Sequence, residues 1–393
     1  MNHLNDFQRQ QSEENRVVNQ CSDKARDSCY RRWYEWSVVE NPSVLENLAH
    51  QGDYLGFNLT PLIVKRRLTL EELRGRTLAV DANNLLYQFL ALIRSKDGSP
   101  FSDSQGRITS HIVGLIMRTT RLMADYGIRP IFVFDGKPSE LKSATLAERR
   151  RSREKAREEW KEAVGRGDYG TAWSKAVRMN SLTQDMQSDA KKVLDLLGIP
   201  RVQAIQEGEA QAAYMAASGD VWAVNSRDYD SVLFGSPRLV RYVTISGQEY
   251  LPSKEISRPL IPELIELELL ATLQLTREQL VDLAILVGTD FNQGIRGVGP
   301  KTALKLLRAN GKLESLPEDY REDLPVNIAE LRNAFINPPV TANYDLEFKK
   351  LDENGLMRFL CEERGFGRGR ILLVIDRMKQ FYASESSKLS SWF

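Results

Sequence analysis

The sequence predicts an α/β fold: a doubly wound, mostly parallel sheet flanked by helices. Three observations carry this. The runs Thr77 to Val80, Pro130 to Phe134 and Val221 to Val224 are short, apolar and rich in β-branched residues, as strands buried on both faces are. The helical patterns Leu85 to Ile93 and His111 to Tyr126 lie between the first two runs, and strand–helix alternation of this kind builds an open parallel sheet. Finally, 393 residues with 42% apolar and 27% charged content can bury one large core or two fused ones.

Taken in chain order, residues 1–54 are polar, lack an amphipathic period and read as a weakly ordered extension. Residues 55–152 form the first half of the sheet, and 153–188 a charged helical insertion. A second half follows at 189–312, then a helical part at 313–383 and a short polar tail at 384–393. Leu264 to Leu307 reads as helical, broken by a glycine-rich turn. No apolar run of about 18 residues exists to span a bilayer, and Met1 to Gln20 is unlike a signal peptide, so a cytoplasmic protein is expected. The only cysteines are Cys21, Cys29 and Cys361 and the only histidines His3, His50 and His111. That usage argues against a disulfide scaffold, a zinc site, and a Ser-His or Cys-His hydrolase.

Chemistry concentrates in acids that end apolar runs. Asp81 closes the run Leu78-Ala79-Val80, and Asp135 closes Ile131 to Phe134. Both therefore sit at carboxyl ends of strands, where open α/β sheets bind ligands. Asp228 and Asp230 follow the third strand, Glu207 and Glu209 repeat their i, i+2 spacing, and Asp290 follows Leu283 to Gly288. Each alone reads as a helix cap or a solvated loop acid. Seven together would repel unless cations joined them, and an all-oxygen donor set suits Mg²⁺ or Mn²⁺ rather than zinc.

The net charge of +1 conceals a patch, because Lys142 to Arg157 holds seven basic residues against two acidic ones. Lys142 and Arg149 are two helical turns apart and project toward a common point. A solvated basic helix face is the plain alternative. Gly294-Ile295-Arg296-Gly297-Val298-Gly299-Pro300-Lys301-Thr302 is a turn leading into a helix start, a geometry that presents backbone N–H groups to phosphate.

With these motifs assembled, the chain from Gly56 to Phe393 resembles the flap endonucleases of the 5′-nuclease superfamily, and their archaeal branch in particular. Val-Asp-Ala-Asn, Val-Phe-Asp-Gly-Lys-Pro, Glu-Gly-Glu-Ala, Asp-Tyr-Asp and Gly-Thr-Asp-Phe occur in that family's order. The resemblance implies two Mg²⁺ ions, replaceable by Mn²⁺, on Asp81, Asp135, Glu207, Glu209, Asp228, Asp230 and Asp290. It makes Lys142 and Arg149 the cations on the scissile phosphate, and the insertion a helical arch that passes a single-stranded 5′ flap. The glycine turn becomes a helix-hairpin-helix that grips duplex DNA through Gly297, Gly299 and Lys301, with K⁺ as a further ligand. Tyr87, which by spacing alone reads as core, becomes a residue that stacks on a base at the junction.

The ending Ser386 to Phe393 is similar to a sliding-clamp (PCNA) binding box, with Leu389, Trp392 and Phe393 on one side of a single helical turn; Ser386 stands where that pattern has Gln. The implied partners are branched DNA and the clamp, for a monomeric, nucleoid-associated enzyme. A bubble- or junction-cutting relative, or a catalytically silent clamp-associated scaffold, is the competing reading. The family begins Met-Gly, whereas Leu55-Gly56 occupies that place here. Because a UUG leucine codon can initiate translation in prokaryotes, the native chain is expected to start at position 55.

Overall fold

The computed structural model describes residues 57–94, 99–166, 175, 181–244, 247–251 and 256–390. In chain order the strands are β1 (Arg66–Arg67), β2 (Thr77–Asp81), β3 (Arg129–Phe134), β4 (Arg201–Gln203), β5 (Ala223–Asn225) and β6 (Arg238–Arg241). There follow a separate hairpin of β7 (Gly247–Leu251) and β8 (Ile256–Leu260), then β9 (Glu263–Glu266), β10 (Gly288–Thr289) and β11 (Asn292–Gln293). Seven strands make one sheet in the order β1-β9-β6-β5-β2-β3-β4. Its five strands from β6 to β4 are parallel, whereas β9 and β1 add on antiparallel.

The alternation of side chains along each strand divides the core in two. Ala79, Ile131, Val133 and Val224 join one hydrophobic cluster, while Leu78, Val80, Phe132, Phe134 and Ala223 join the other. Both faces are therefore covered, which is why these strands read as continuous apolar runs. One face is closed by α1 (Ala82–Leu92), α2 (Ser110–Tyr126) and α4 (Gln184–Leu197), with α3 (Ser143–Gly165) inserted before the last of these. The other is closed by α5 (Gly208–Ala217), which follows β4, and after the short α6 (Asp230–Leu233) by α7 (Leu269–Leu273) and α8 (Arg277–Val287). Then come α9 (Pro300–Asn310) and α10 (Ile328–Ile336), and the C-terminal α11 (Arg368–Ser390) returns to the first face. Helix α8 starts where a capping box fixes it: Thr276 accepts from the Gln279 N–H, and the Gln279 side chain accepts from the Thr276 N–H. Among the described residues no helix is long and apolar enough to cross a membrane.

The structure corrects four expectations. The strand expected at Val221 to Val224 begins only at Ala223, because Val221 N–H turns back to the Met215 carbonyl to close helix α5. The stretch expected to be helical from Leu264 opens as strand β9, with Leu264 and Ile265 buried in opposite clusters across the sheet. Helix α3 runs unbroken through residue 152, where a boundary between the first half and the insertion was expected. The expected tail from Ser384 continues helix α11 to Ser390. Residues 1–54, Leu55, Trp392 and Phe393 lie outside the described residues, and of Leu389 only its place in α11 is described.

Candidate active site

The sheet itself aligns the acids. Strand β2 ends in Asp81, which also caps α1 by accepting the Asn84 N–H at 3.0 Å. Asp135 follows the last residue of the parallel neighbour β3. On the other side of β2, β5 leads through Ser226 and Arg227 to Asp228 and to Asp230, the first residue of α6. Glu207 caps α5 and Glu209 lies in its first turn. Asp290 stands at the turn between β10 and β11, in a ribbon directly after α8. Strand order β5-β2-β3 thus sets Asp228, Asp81 and Asp135 in a row.

This floor is electrostatically unfavourable as bare protein. Burial, followed by repulsion from neighbouring acids, holds the carboxyls of Asp81, Glu209 and Asp230 well above the usual range. Burial also raises Glu207 and Asp228. Lys142 answers from the end of the turn before α3: its ammonium donates to Glu207 at 2.5 Å and lies 3.3 Å from Asp290. Burial would lower its pKa, but Glu207 and Asp290 outweigh that and hold it above normal. Arg149 donates to the other Asp290 oxygen at 2.7 Å. The expected common point of Lys142 and Arg149 is therefore Asp290.

Among the described residues no three acidic, His or Cys side chains close on a single point. Amide and ammonium donors hold several carboxylates apart. Asn83 donates to Asp135 at 2.5 Å and Asn84 to Asp228 at 2.5 Å, with Gln88 donating to Asn84 in turn. The Gly208 N–H takes the other Asp135 oxygen at 2.7 Å. Glu209 Oε1 and Asp230 Oδ1, however, are buried with no hydrogen-bond partner among the described residues. Orphaned carboxyl oxygens in a floor of oxygen donors are what a hard divalent cation satisfies, so the residues fit Mg²⁺.

Sequence reasoning missed Asn83 and Asn84, although both stand in the Val-Asp-Ala-Asn-Asn stretch. It also missed Arg241, which is buried, with 7% of its surface exposed. Its guanidinium donates to the Arg227 carbonyl at 2.7 Å and to the Tyr229 hydroxyl at 2.5 Å, and pairs with Glu263 at 3.3 Å. Arg227 and Tyr229 flank Asp228, so this one side chain fixes the backbone that carries two of the acids. Tyr229 reaches on to Thr60 at 2.8 Å, tying in the N-terminal loop.

Tyr87 is 42% exposed on α1, which corrects the core reading and leaves its ring accessible. In the glycine turn, Gly297 has φ +81°, a conformation that disfavours side chains, and it is exposed together with Arg296 and Lys301. Gly299 caps α9, with Pro300 at its first position.

Two family models match the chain, the XPG N-terminal domain over residues 58–156 and the XPG I-region over 198–290. Flap endonuclease 1 of Pyrococcus abyssi is 47% identical over 342 residues, spanning 86% of this chain and 98% of that protein. Its counterpart from Caldivirga maquilingensis is 48% identical, spanning 85% and 97%. Among solved structures, flap endonuclease-1 from Methanococcus jannaschii matches with a TM-score of 0.66 at 40% identity, covering 84% of this chain and all of that one.

Proposed function

Because this chain belongs to the flap endonuclease family, we propose that its acid floor hydrolyses phosphodiester bonds at 5′-flap junctions in DNA replication, including Okazaki fragment maturation, and in repair, with 5′–3′ exonuclease activity at the same site. One observation carries the reading: buried carboxyl oxygens of Glu209 and Asp230 that no described residue satisfies, in the same acid floor where Lys142 and Arg149 meet on Asp290. Asp81, Asp135, Glu207, Glu209, Asp228, Asp230 and Asp290 are the residues that would hold two Mg²⁺ ions, with Mn²⁺ able to substitute. Bound there, the metals supply an activated water and charge stabilisation for the departing oxygen.

The protein's own groups do the rest. Lys142 and Arg149 present preorganised charge to the scissile phosphate, which gains charge as the bond breaks. Asn83 and Asn84 orient Asp135 and Asp228 through their amide donors. Tyr87 offers its exposed ring to a base at the junction. Gly297, Gly299 and Lys301 hold the duplex backbone without reading bases, with K⁺ at that turn. The exposed arginines of α3 line the passage of the flap. The enzyme works as a monomer in the cytoplasm, on the nucleoid, and Leu389, Trp392 and Phe393 attach it to the sliding clamp.

Incision of flap, bubble and four-way DNA substrates with and without Mg²⁺ tests the reading. Mg²⁺-dependent cleavage concentrated on the flap is expected. Equal or greater cutting of bubbles or four-way junctions would assign the chain to another branch of the superfamily, and no cutting at all would make it a scaffold.

A further inference from the structure

The row of acids does not end the line of sites along the sheet. Beyond Asp135, on the β4 side, lies an open cleft of about 770 Å³ whose lining includes Asp135, Lys137, Gln184, Gln187, Lys191 and Ile205. Its size falls in the range of ligand sites, on the order of 300–1,000 Å³.

The cleft is rigidly built. Its Asp135–Pro138 wall is pinned to the chain leaving β4, with Gly136 N–H donating to the Gln206 carbonyl at 2.6 Å and Lys137 N–H to the Ile205 carbonyl at 3.1 Å. The approach is so close that a Cβ on Gly136 would stand 2.2 Å from the Ile205 oxygen. Opposite, the first turn of α4 is fixed by Thr183, which accepts the Met186 N–H. The floor joins the two, as Lys191 donates to Gln203 at 2.8 Å and Gln203 donates to the Asp135 carbonyl at 2.6 Å.

What the cleft offers is mixed in a particular way. Lys137, Gln184 and Gln187 have no side-chain hydrogen bond or ion pair with another described residue. Between them Ile205 is 48% exposed, one of only a few large apolar side chains in the described residues to be so. Cations for phosphate, amides that both donate and accept, and an apolar surface together match a single-stranded nucleotide, which has a charged backbone, a polar base edge and an apolar base face.

Position supplies the rest of the argument. Strand order continues from β5, β2 and β3 to β4, so the cleft extends the row Asp228, Asp81, Asp135 by one strand. Lys142 and α3 follow directly in the chain from the Pro138 wall, and Lys142 reaches Glu207 and Asp290 in the row of acids. A strand that crosses the acids beneath Lys142 from the β5 side arrives in the cleft.

We propose that this cleft is a nucleotide subsite for the single-stranded flap just beyond the scissile phosphate. Lys137 and Lys191 take its phosphates, Ile205 packs on a base or sugar, and Gln184 and Gln187 meet the base edge. The inference rests on the flap-endonuclease reading above.

The test is a ratio. Half-saturating substrate concentrations in single-turnover cleavage are measured for a natural 5′ flap and for the same junction with its first flap nucleotides replaced by an uncharged abasic spacer. The parent is expected to favour the natural flap by roughly fivefold or more. In a Lys137→Ala, Ile205→Ser variant, which alters only exposed or half-exposed positions, the ratio should fall close to one. A variant that keeps the parent's ratio, or a parent that does not distinguish the two flaps, overturns the subsite while leaving the flap-endonuclease reading in place. A parent that cuts neither substrate overturns that reading and the subsite with it.

Discussion

The acid floor and the arch helix α3 meet at one point and are built on opposite principles. The floor lies on parallel strands buried on both faces; donors from α1 and α5 hold its side chains, and Arg241 of β6 holds the backbone beside Asp228. Helix α3 is 23 residues long, yet its buried positions are small ones, Thr145, Ala156 and Ala163. Its surface is laced by exposed i, i+4 pairs such as Arg150–Glu154 at 3.4 Å and Lys155–Glu159 at 4.0 Å, each worth only a few tenths of a kcal/mol. An element with so few large buried side chains sits toward the low-stability end of a fold. The fixed acids are thus met by two cations from outside the sheet, Arg149 on α3 and Lys142 in the turn that leads into it.

Several substitutions test how far that division holds. Asp230→Asn or Asp81→Asn should cut single-turnover cleavage by at least ~100-fold while flap binding stays within about tenfold if, as proposed, these acids serve metals rather than the duplex. Undiminished cleavage would dissolve the distinction. On the arch side, Lys142→Ala and Arg149→Ala should each slow cleavage by about tenfold or more at saturating Mg²⁺, with little change in the Mg²⁺ concentration needed. A large rise in that requirement would mean the two cations organise the floor instead.

Arg241→Met should do what the arch variants do not, raising the Mg²⁺ needed for half-maximal rate by roughly tenfold, as loss of support behind metal ligands does, with Arg241→Lys partly restoring it. An unchanged Mg²⁺ titration would reduce Arg241 to a packing residue. Finally, the double variant Trp392→Ala, Phe393→Ala should lose stimulation by the clamp and leave clamp-free cleavage unaltered. A titration showing equal clamp binding by variant and parent would refute the assignment of that tail.

The central parallel strands β2, β3 and β5 were legible because each is a local apolar run, and the acids because a carboxylate closing such a run is unusual enough to notice. The outer parallel strands β4 and β6, short and flanked by Arg201 and Gln203 or Arg238 and Arg241, carry no such run. The antiparallel edge was not legible. Glu263-Leu264-Ile265-Glu266 suits a helix as well as a strand over so few residues, and only the neighbouring strand β6 decides between them. Tyr87 misled for a related reason: its neighbours Leu85, Leu86, Phe89 and Leu90 are core, and the helix turn that buries them carries residue 87 outward. Asn83, Asn84 and Arg241 were hidden differently. An Asn after a capping Asp looks like part of a helix start, and Arg241 acts through the carbonyl of Arg227 and the hydroxyl of Tyr229, contacts no local pattern encodes.

The ribbon of β10 and β11 joins Asp290 to the glycine turn, and it cannot stretch. Thr289 and Asn292 bond to each other across it at 2.8 Å, Asn292 anchors it to the Ile285 carbonyl at 2.9 Å, and Phe291 packs edge-on against Phe335. If Gly297 holds the duplex as proposed, the span from that grip to Asp290 acts as a ruler. The position of the cut would then be read as a length along the DNA backbone, indifferent to sequence, and lengthening the ribbon by one residue should move the incision rather than abolish it.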